Sequence, residues 1–368
     1  MRIANIEPIA VSLPMRKPVI MAGEEVRQAD NVLLRLAADS GEVGWGEAAS
    51  APVMTGETVA GMVAAVRHLA GVLLDREASD IPGACAAMER RMHGNHGAKA
   101  AIEIALHDLV GRATARPVHA LLGERRRSRL AALAVIGGGD LDDDLREAQA
   151  KKADGFAIFK IKVGIDGPAC DAERTRAICR TLGDGCLISA DANQGFGIGD
   201  AIAFVEAVAG AGLAFLEQPV AADDLAGMAK VAAATEIAIG ADEGIHALAD
   251  IERHHALDAA RGVSLKAIKL GGLGALVAAA RLCDRLAMQV NVSCKTGESS
   301  IACAAALHAA AVIPEIGWGL TLTNGGLAAD ITPHPLAVRQ GHAAVPDRPG
   351  LGIEVDEDRV RHYRIAER

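Results

Sequence analysis

The chain has 368 residues, half of them apolar, and a formal net charge of −9. That length accommodates one large domain plus a smaller one. No run of about 18 apolar residues is present, so no membrane-spanning helix is expected. No basic block offers a surface to nucleic acid or to an anionic membrane. The start, Met1-Arg2-Ile3-Ala4-Asn5-Ile6-Glu7-Pro8, lacks the apolar stretch of a signal peptide. The seven cysteines are scattered without a C-x-x-C pair. They read as reduced thiols of a cytoplasmic protein.

Residues 1–125 read as a mixed α+β unit. Val32-Leu33-Leu34-Arg35-Leu36 and Gly44-Trp45-Gly46-Glu47 are expected to form hairpin strands joined through Asp39-Ser40-Gly41. A helix over Ala98–Val110 puts Ile102, Ala105, Leu106 and Leu109 on one face. His107 and Asp108 fall off that face and are expected in solvent. The segment Pro52–Thr55, followed by Gly56-Glu57-Thr58, reads as a loop that opens another helix.

From about residue 130 strands and helices alternate. The strand candidates are Ala131–Ile136, Phe156–Val163, Leu187–Ala192, Ala214–Gln218, Ile237–Asp242, Ser264–Leu270, Gln289–Ser293 and Gly317–Leu322. They are nearly all apolar, recur at about 25-residue intervals and are separated by alanine-rich helical stretches. Eight such units predict a parallel (β/α)₈ barrel over residues 126–334. The alternative, a doubly wound open sheet, lacks its glycine fingerprint, because Gly272-Leu273-Gly274-Ala275-Leu276-Val277 has no third glycine. Residues 335–368 are irregular and are expected to return to the first unit.

The second strand candidate carries two lysines. Alternation puts Phe159, Ile161 and Val163 on one face, and Ile158, Lys160 and Lys162 on the other. Desolvation and mutual repulsion are expected to lower the pKa of such a pair. The third, fourth and fifth strands end in acids: Asp191, then Glu217 after 26 residues, then Asp242 after 25 more. Equivalent positions on successive barrel strands are neighbours at the C-terminal mouth, where active sites sit. Three carboxylates converging there call for a cation. With no His or Cys in the set, Mg²⁺ or Mn²⁺ suits it better than zinc. The sixth strand carries Lys266 and Lys269, three residues apart. In a strand they face opposite ways, so one alone enters the barrel. Lysines flanking a metal from two sides suit removal and return of a proton next to a carboxylate.

Other polar residues fit this register less well. His93, His96, His254 and His255 lie outside it and are expected in solvent. Asp140–Asp144 reads as a helix start. Trp318, on the eighth strand candidate, serves either the core or a substrate cation.

Lys160-Ile161-Lys162, Asp191-Ala192-Asn193, Glu217-Gln218-Pro219, Asp242-Glu243 and the lysine before Gly271-Gly272 resemble the enolase superfamily. A lysine base working beside Mg²⁺ is an established pattern of that superfamily. The subgroup resembled is the muconate-cycloisomerase-like one within the mandelate racemase/muconate lactonizing enzyme family. Gly44-Trp45-Gly46-Glu47 and Pro349-Gly350-Leu351-Gly352 extend the likeness over nearly the whole chain. The resemblance implies a modified (β/α)₇β barrel under an α+β capping domain built from residues 1–125 and 335–368. It implies that Asp191, Glu217 and Asp242 bind Mg²⁺, with Mn²⁺ as an alternative. Lys162 would be one acid/base, with Lys160 lowering its pKa. Lys266 would be the opposing one, with Lys269 as fallback. Asn193, Glu243 and Glu298 would support the site or meet the substrate. Lys295, where relatives have a small or apolar residue, is a departure that bears on the substrate, as does Trp318. The loops Lys17–Glu25 and Ala49–Glu57 would cover the barrel mouth. The implied enzyme is a homo-oligomer acting on a small carboxylate. It would be an isomerase that racemises, epimerises or cycloisomerises an amino-acid-derived carboxylate through an enediolate. A lyase, eliminating water or an amine with the same lysines, is the alternative.

Overall fold

Alternation of side chains in the first fifty residues produces a three-stranded antiparallel sheet buried on both faces. Its strands are Ile3–Met21, Glu24–Ala38 and Val43–Ala49, in that order. Val32, Leu34 and Leu36 join a core with the capping helices, while Leu33, Trp45, Val11 and Leu13 join the core of the barrel. The structure, a computed structural model, describes residues 1–21, 24–137 and 139–366. Residues 22 and 23, within the expected loop Lys17–Glu25, lie outside the described residues.

Helix Val59–Ala70 starts on Thr58, whose side chain accepts from the Gly61 amide, and buries Met62, Val63, Val66 and Leu69. Helix Ile81–Arg91 starts in the same way on Asp80. Helix His96–Ala113 is buried on every side from Gly97 to Gly111. This corrects the expectation for His107 and Asp108, which are buried. The helix is sandwiched between the sheet and the barrel, so it has no solvent face there. Asp108 is satisfied by three donors: the Trp45 amide at 2.9 Å, Arg112 Nε at 2.9 Å and the Leu351 amide at 2.7 Å. One carboxylate thus pins the hairpin and the C-terminal tail to this helix.

The eight parallel strands are Leu133–Ile136, Ile158–Lys162, Leu187–Asp191, Leu213–Glu217, Ala238–Ala241, Gly262–Leu265, Gln289–Ser293 and Leu320–Thr321, each beside the next. A parallel bridge between Ala132 and Leu320 joins the last strand to the first. Among the described residues, each of the seven connections between successive strands is helical, and the eighth strand leads into the tail, giving a (β/α)₇β barrel. The helix Leu141–Ala153 begins on Asp140, whose carboxylate accepts from the Asp143 amide at 2.8 Å, so this acidic run is a helix start.

The expected sixth strand, Ser264–Leu270, is too long. The strand stops at Leu265 and a helical turn runs from Ala267 to Leu270. Gly271, at φ +88°, ends the turn in the left-handed region that glycine enters freely. In the tail, Val338–Arg339 pairs with His342–Ala344, which in turn pairs with Arg129–Ala131 ahead of the barrel. The helix Glu357–Tyr363 packs on the first strand of the capping sheet, where the Ile365 amide donates to the Ala10 carbonyl. Among the described residues no helix is long and apolar enough to cross a membrane.

Candidate active site

The parallel register carries one face of each strand into the barrel. Lys160 pairs with Ser189, Lys162 with Asp191, Asp191 with Glu217, and Glu217 with Gly240. Two residues beyond Gly240, on the same face, stands Asp242. Gly262 pairs with Gly240, so Ser264 and then Lys266 follow inward on the sixth strand. The seventh strand pairs Ser264 with Asn291, and its next inward positions are Ser293 and Lys295. Side-chain alternation alone therefore gathers lysines and acids from successive strands at one mouth.

Asp191, Glu217, Asp242, Lys160 and Lys266 are all buried, and Lys269 is wholly so. Lys160 Nζ lies 2.6 Å from Glu217 Oε2 and 3.7 Å from Asp191 Oδ2. Lys162 Nζ donates to Asp191 Oδ2 at 2.8 Å and to Asn193 Oδ1 at 2.5 Å. Asn193 in turn donates from Nδ2 to Glu243 Oε1 at 3.0 Å. Lys266 Nζ donates to both oxygens of Asp242. Lys269 Nζ donates to Asp242 Oδ1 at 2.6 Å, to the Ser264 carbonyl at 3.0 Å and to the Asp242 carbonyl. The expectation that Lys266 and Lys269 face opposite ways is thus overturned. Within a helical turn, residues three apart are neighbours, so both ammonium groups meet one carboxylate.

The charges answer to burial and to each other. Burial draws Lys160 down, but Glu217 and Asp191 outweigh it, and its pKa rises above the ordinary lysine value. The expected depression is reversed because its nearest charges are carboxylates, not Lys162. Burial draws Lys266 down as well, and Asp242 above all holds it higher than its ordinary value. Lys269 goes the other way: burial holds it below. Burial pushes Asp191 and Asp242 up, yet their lysines bring both below the usual carboxylate range. Glu217 is raised by burial. Glu243 is pushed up to about 7 by burial and by Asp242 and Asp191.

Among the described residues, no three His, Cys, Asp or Glu side chains stand close enough together to hold an ion as they are. Ammonium groups lie against each of the three acids instead. The donor set still suits a hard divalent cation. It is all oxygen and buried, and the ammonium groups against it, such as Lys160 Nζ 2.6 Å from Glu217 Oε2, supply positive charge at the place a cation would.

The remaining candidates divide between core, mouth and solvent. Trp318 stacks on Phe215, ring centroids 3.8 Å apart, in the barrel floor. A Cβ on Gly240 or Gly262 would come within 2.8 or 2.6 Å of its ring, so these glycines make its space. Its amide bonds the Val290 carbonyl near the start of the seventh strand, the end away from the mouth. His254 is buried, not solvated, with Nδ1 2.8 Å from the Asp250 carbonyl. His96 is half-buried, and its Nδ1 lies 2.6 Å from the Lys269 carbonyl. His93 and His255 are exposed.

Gln218 has a role that its place between Glu217 and Pro219 does not announce. Its Oε1 accepts from the Asp242 and Gly244 amides at 2.9 and 3.1 Å, fixing the turn that carries Asp242. Ser264 hydroxyl bridges Glu217 Oε1 and Asn291 Oδ1 at 3.1 and 3.2 Å. Glu47, in the capping sheet, accepts from the Ser299 hydroxyl at 2.7 Å and from the Ala302 amide at 3.0 Å. It thereby ties that sheet to the helix after the seventh strand. Glu298 beside it is buried and pushed up to about 8 by burial and by Glu47. Lys295 is half-buried at the inward register, its amide donating to Glu298 Oε2 at 2.9 Å. The loop Ala49–Glu57 reaches the mouth, where the Met54 carbonyl lies 2.8 Å from His246 Nε2.

Residues 5–123 match the mandelate racemase / muconate lactonizing enzyme N-terminal domain, and residues 143–359 match the enolase C-terminal domain-like family. The chain is 31% identical over 377 residues to chloromuconate cycloisomerase CbnB of Cupriavidus necator, covering 100% of both. It is 30% identical over 362 residues to L-Ala-D/L-Glu epimerase of Bacillus subtilis, covering 96% of this chain and 97% of that one. The solved muconate lactonizing enzyme of Pseudomonas fluorescens, complexed with muconolactone, superposes with a TM-score of 0.95 at 30% identity, over 99% of each chain. N-succinyl Arg/Lys racemase of Bacillus cereus superposes with a TM-score of 0.94 at 27% identity, over 100% of this chain and 99% of that one. The chain belongs to the mandelate racemase/muconate lactonizing enzyme family of the enolase superfamily, and it is an isomerase of that family.

Proposed function

We propose that this isomerase removes and returns the proton α to the carboxylate of an amino-acid-derived substrate, with Lys162 and Lys266 as the two acid/bases. One observation carries the proposal: the two lysines reach the mouth from strands two and six, each paired with a different strand-end acid, Asp191 and Asp242. A substrate carbon held between them meets one ammonium or amine from each side. One lysine takes the proton and the other delivers one to the opposite face. Asp191, Glu217 and Asp242 would hold the divalent cation, Mg²⁺ with Mn²⁺ as alternative. That cation would supply charge neutralisation at the substrate carboxylate as the proton leaves. Lys160 balances Glu217 and Asp191 from within the barrel. Asn193 and Glu243 orient Lys162.

Two features of the last two strands support one substrate class. Trp318 packs in the floor, so no aromatic face from that strand is offered to a cation such as a betaine. Lys295 stands at the inward register, where an ammonium suits a second anionic group or an acyl oxygen. An N-acylated amino acid or an acidic dipeptide fits this description. The names of an epimerase and a racemase among the relatives agree with it.

The test is a screen in D₂O with Mg²⁺ across N-acylamino acids, dipeptides, unsaturated dicarboxylates, and proline and betaine derivatives. Incorporation of one deuterium at the α-carbon of an acylated or dipeptide substrate is expected. Exhaustive chelation should stop it and Mg²⁺ or Mn²⁺ should restore it. Exchange that survives chelation, or no exchange in any class, overturns the proposal. Loss of a β-substituent would identify a lyase instead.

A further inference from the structure

Four lysines pair with the three strand-end acids, and the proton-transfer chemistry uses two. Lys269 is the one whose surroundings are most complete. Its ammonium has three hydrogens and three acceptors: Asp242 Oδ1, the Asp242 carbonyl and the Ser264 carbonyl. Two of these are backbone groups at the ends of the fifth and sixth strands, which do not move without the barrel. The side chain has no exposed surface. Its own carbonyl is held from the capping domain by His96, 2.6 Å away. Lys266 differs in each respect. Its ammonium bonds the Asp242 carboxylate and no backbone group, and its side chain retains a little exposure.

We infer that Lys269 is a positioning residue that fixes Asp242 for a divalent cation, while Lys266 is the ammonium that gives way when the cation arrives. The inference rests on the reading of Asp242 as a metal ligand. A carboxylate at a metal site needs a partner that orients it, and removing such partners typically weakens metal binding. Lys269 supplies that partner by holding Oδ1 and the main chain of Asp242 together. Oδ2, which Lys269 does not touch, is left for the cavity. Lys266 occupies Oδ2 without any anchor outside this carboxylate, so it competes with a cation for the same oxygen. Its release from Asp242 also frees its amine to face the substrate. The two lysines, three residues apart in sequence, therefore have opposite effects on the same ligand.

The experiment is Mn²⁺ binding by calorimetry to the full-length chain and to its variants, without substrate, with a thermal melt of each. Lys269→Met should weaken Mn²⁺ binding about 10- to 100-fold. Lys269→Gln, which keeps donors but no charge, should fall between it and the parent chain. Lys266→Met should bind Mn²⁺ as tightly as the parent chain or more tightly, because the competing ammonium is gone. A merely structural lysine would lower the melting temperature without splitting the two variants in this way. Binding within twofold of the parent in folded Lys269→Met, or in Lys269→Gln where that is the variant that folds, overturns the inference. No Mn²⁺ binding by the parent chain rejects the metal reading itself, a separate result. If neither Lys269 variant folds, a crystal structure of the Mg²⁺-loaded parent chain decides. Lys269 should keep Asp242 Oδ1 and Ser264 while Lys266 has left Asp242, and the reverse arrangement overturns the inference.

Discussion

The ends of the second and sixth barrel strands do the same job with different backbone. On the second strand Lys160 and Lys162 are two apart in an unbroken strand, and they meet acids on the third and fourth strands. Lys162 remains 32% exposed and shares its charge between Asp191 and Asn193. On the sixth strand the chain turns helical after Leu265, and Lys266 and Lys269 both meet Asp242. The second strand thus spreads two charges over two acids and keeps one in water. The sixth concentrates two ammonium groups on one acid and buries them. A barrel can bring cations to its mouth by alternation or by a terminal turn, and the turn gives the more deeply buried pairing.

The difference has a consequence for stability, measured by urea unfolding of the metal-free protein. Asp242→Asn leaves two buried ammonium groups without their carboxylate. Breaking a buried pair costs about 3–5 kcal/mol, and a loss in that range is expected. Asp191→Asn leaves Lys160 with Glu217 and Lys162 with Asn193 and solvent. It should cost roughly 1.5–3 kcal/mol, the size of one lost charge-assisted hydrogen bond. Equal losses would erase the distinction between the two strand ends.

A smaller effect, away from the paired charges, comes from His308. The His119 amide donates to His308 Nδ1 at 3.1 Å, so the proton sits on Nε2 and points to the Leu351 carbonyl at 3.1 Å. Burial lowers its pKa to about 4, with His119 and His107 nearby and Asp347 opposing them. The folded value lies below the unfolded one, about 6.5. The unfolded state therefore binds the proton first. Stability should be full above about pH 6.5 and fall by about 3 kcal/mol as pH drops to 4. His308→Gln should flatten that part of the profile. An unchanged slope in the variant would place the acid sensitivity elsewhere.

The barrel was legible because buried parallel strands are continuous apolar runs, and their spacing carried the three acids into one register. The lysines of the second strand were legible for the same reason. The turn at Ala267–Leu270 was not, because Ala-Ile-Lys-Leu is as apolar as a strand and four residues are too few to show a helical period. His107 and Asp108 were misplaced because a helical wheel marks one apolar face and cannot show that the other face meets a barrel. Trp318 was ambiguous because its space is made by Gly240 and Gly262, on the fifth and sixth strands. Glu47 carried a faint signal: an acid in a strand otherwise of valine, glycine, tryptophan and alanine has to find donors elsewhere.

The most direct test of the two-lysine account is α-proton exchange in D₂O, followed separately for each enantiomer of a substrate found in the screen. Lys162→Met should stop exchange of one enantiomer, and Lys266→Met should stop exchange of the other. Each loss should be on the order of 10²- to 10⁴-fold, the usual range for a positioned acid/base. Equal loss for both enantiomers in each variant, with both proteins folded, would contradict placement of the two lysines on opposite faces of the substrate.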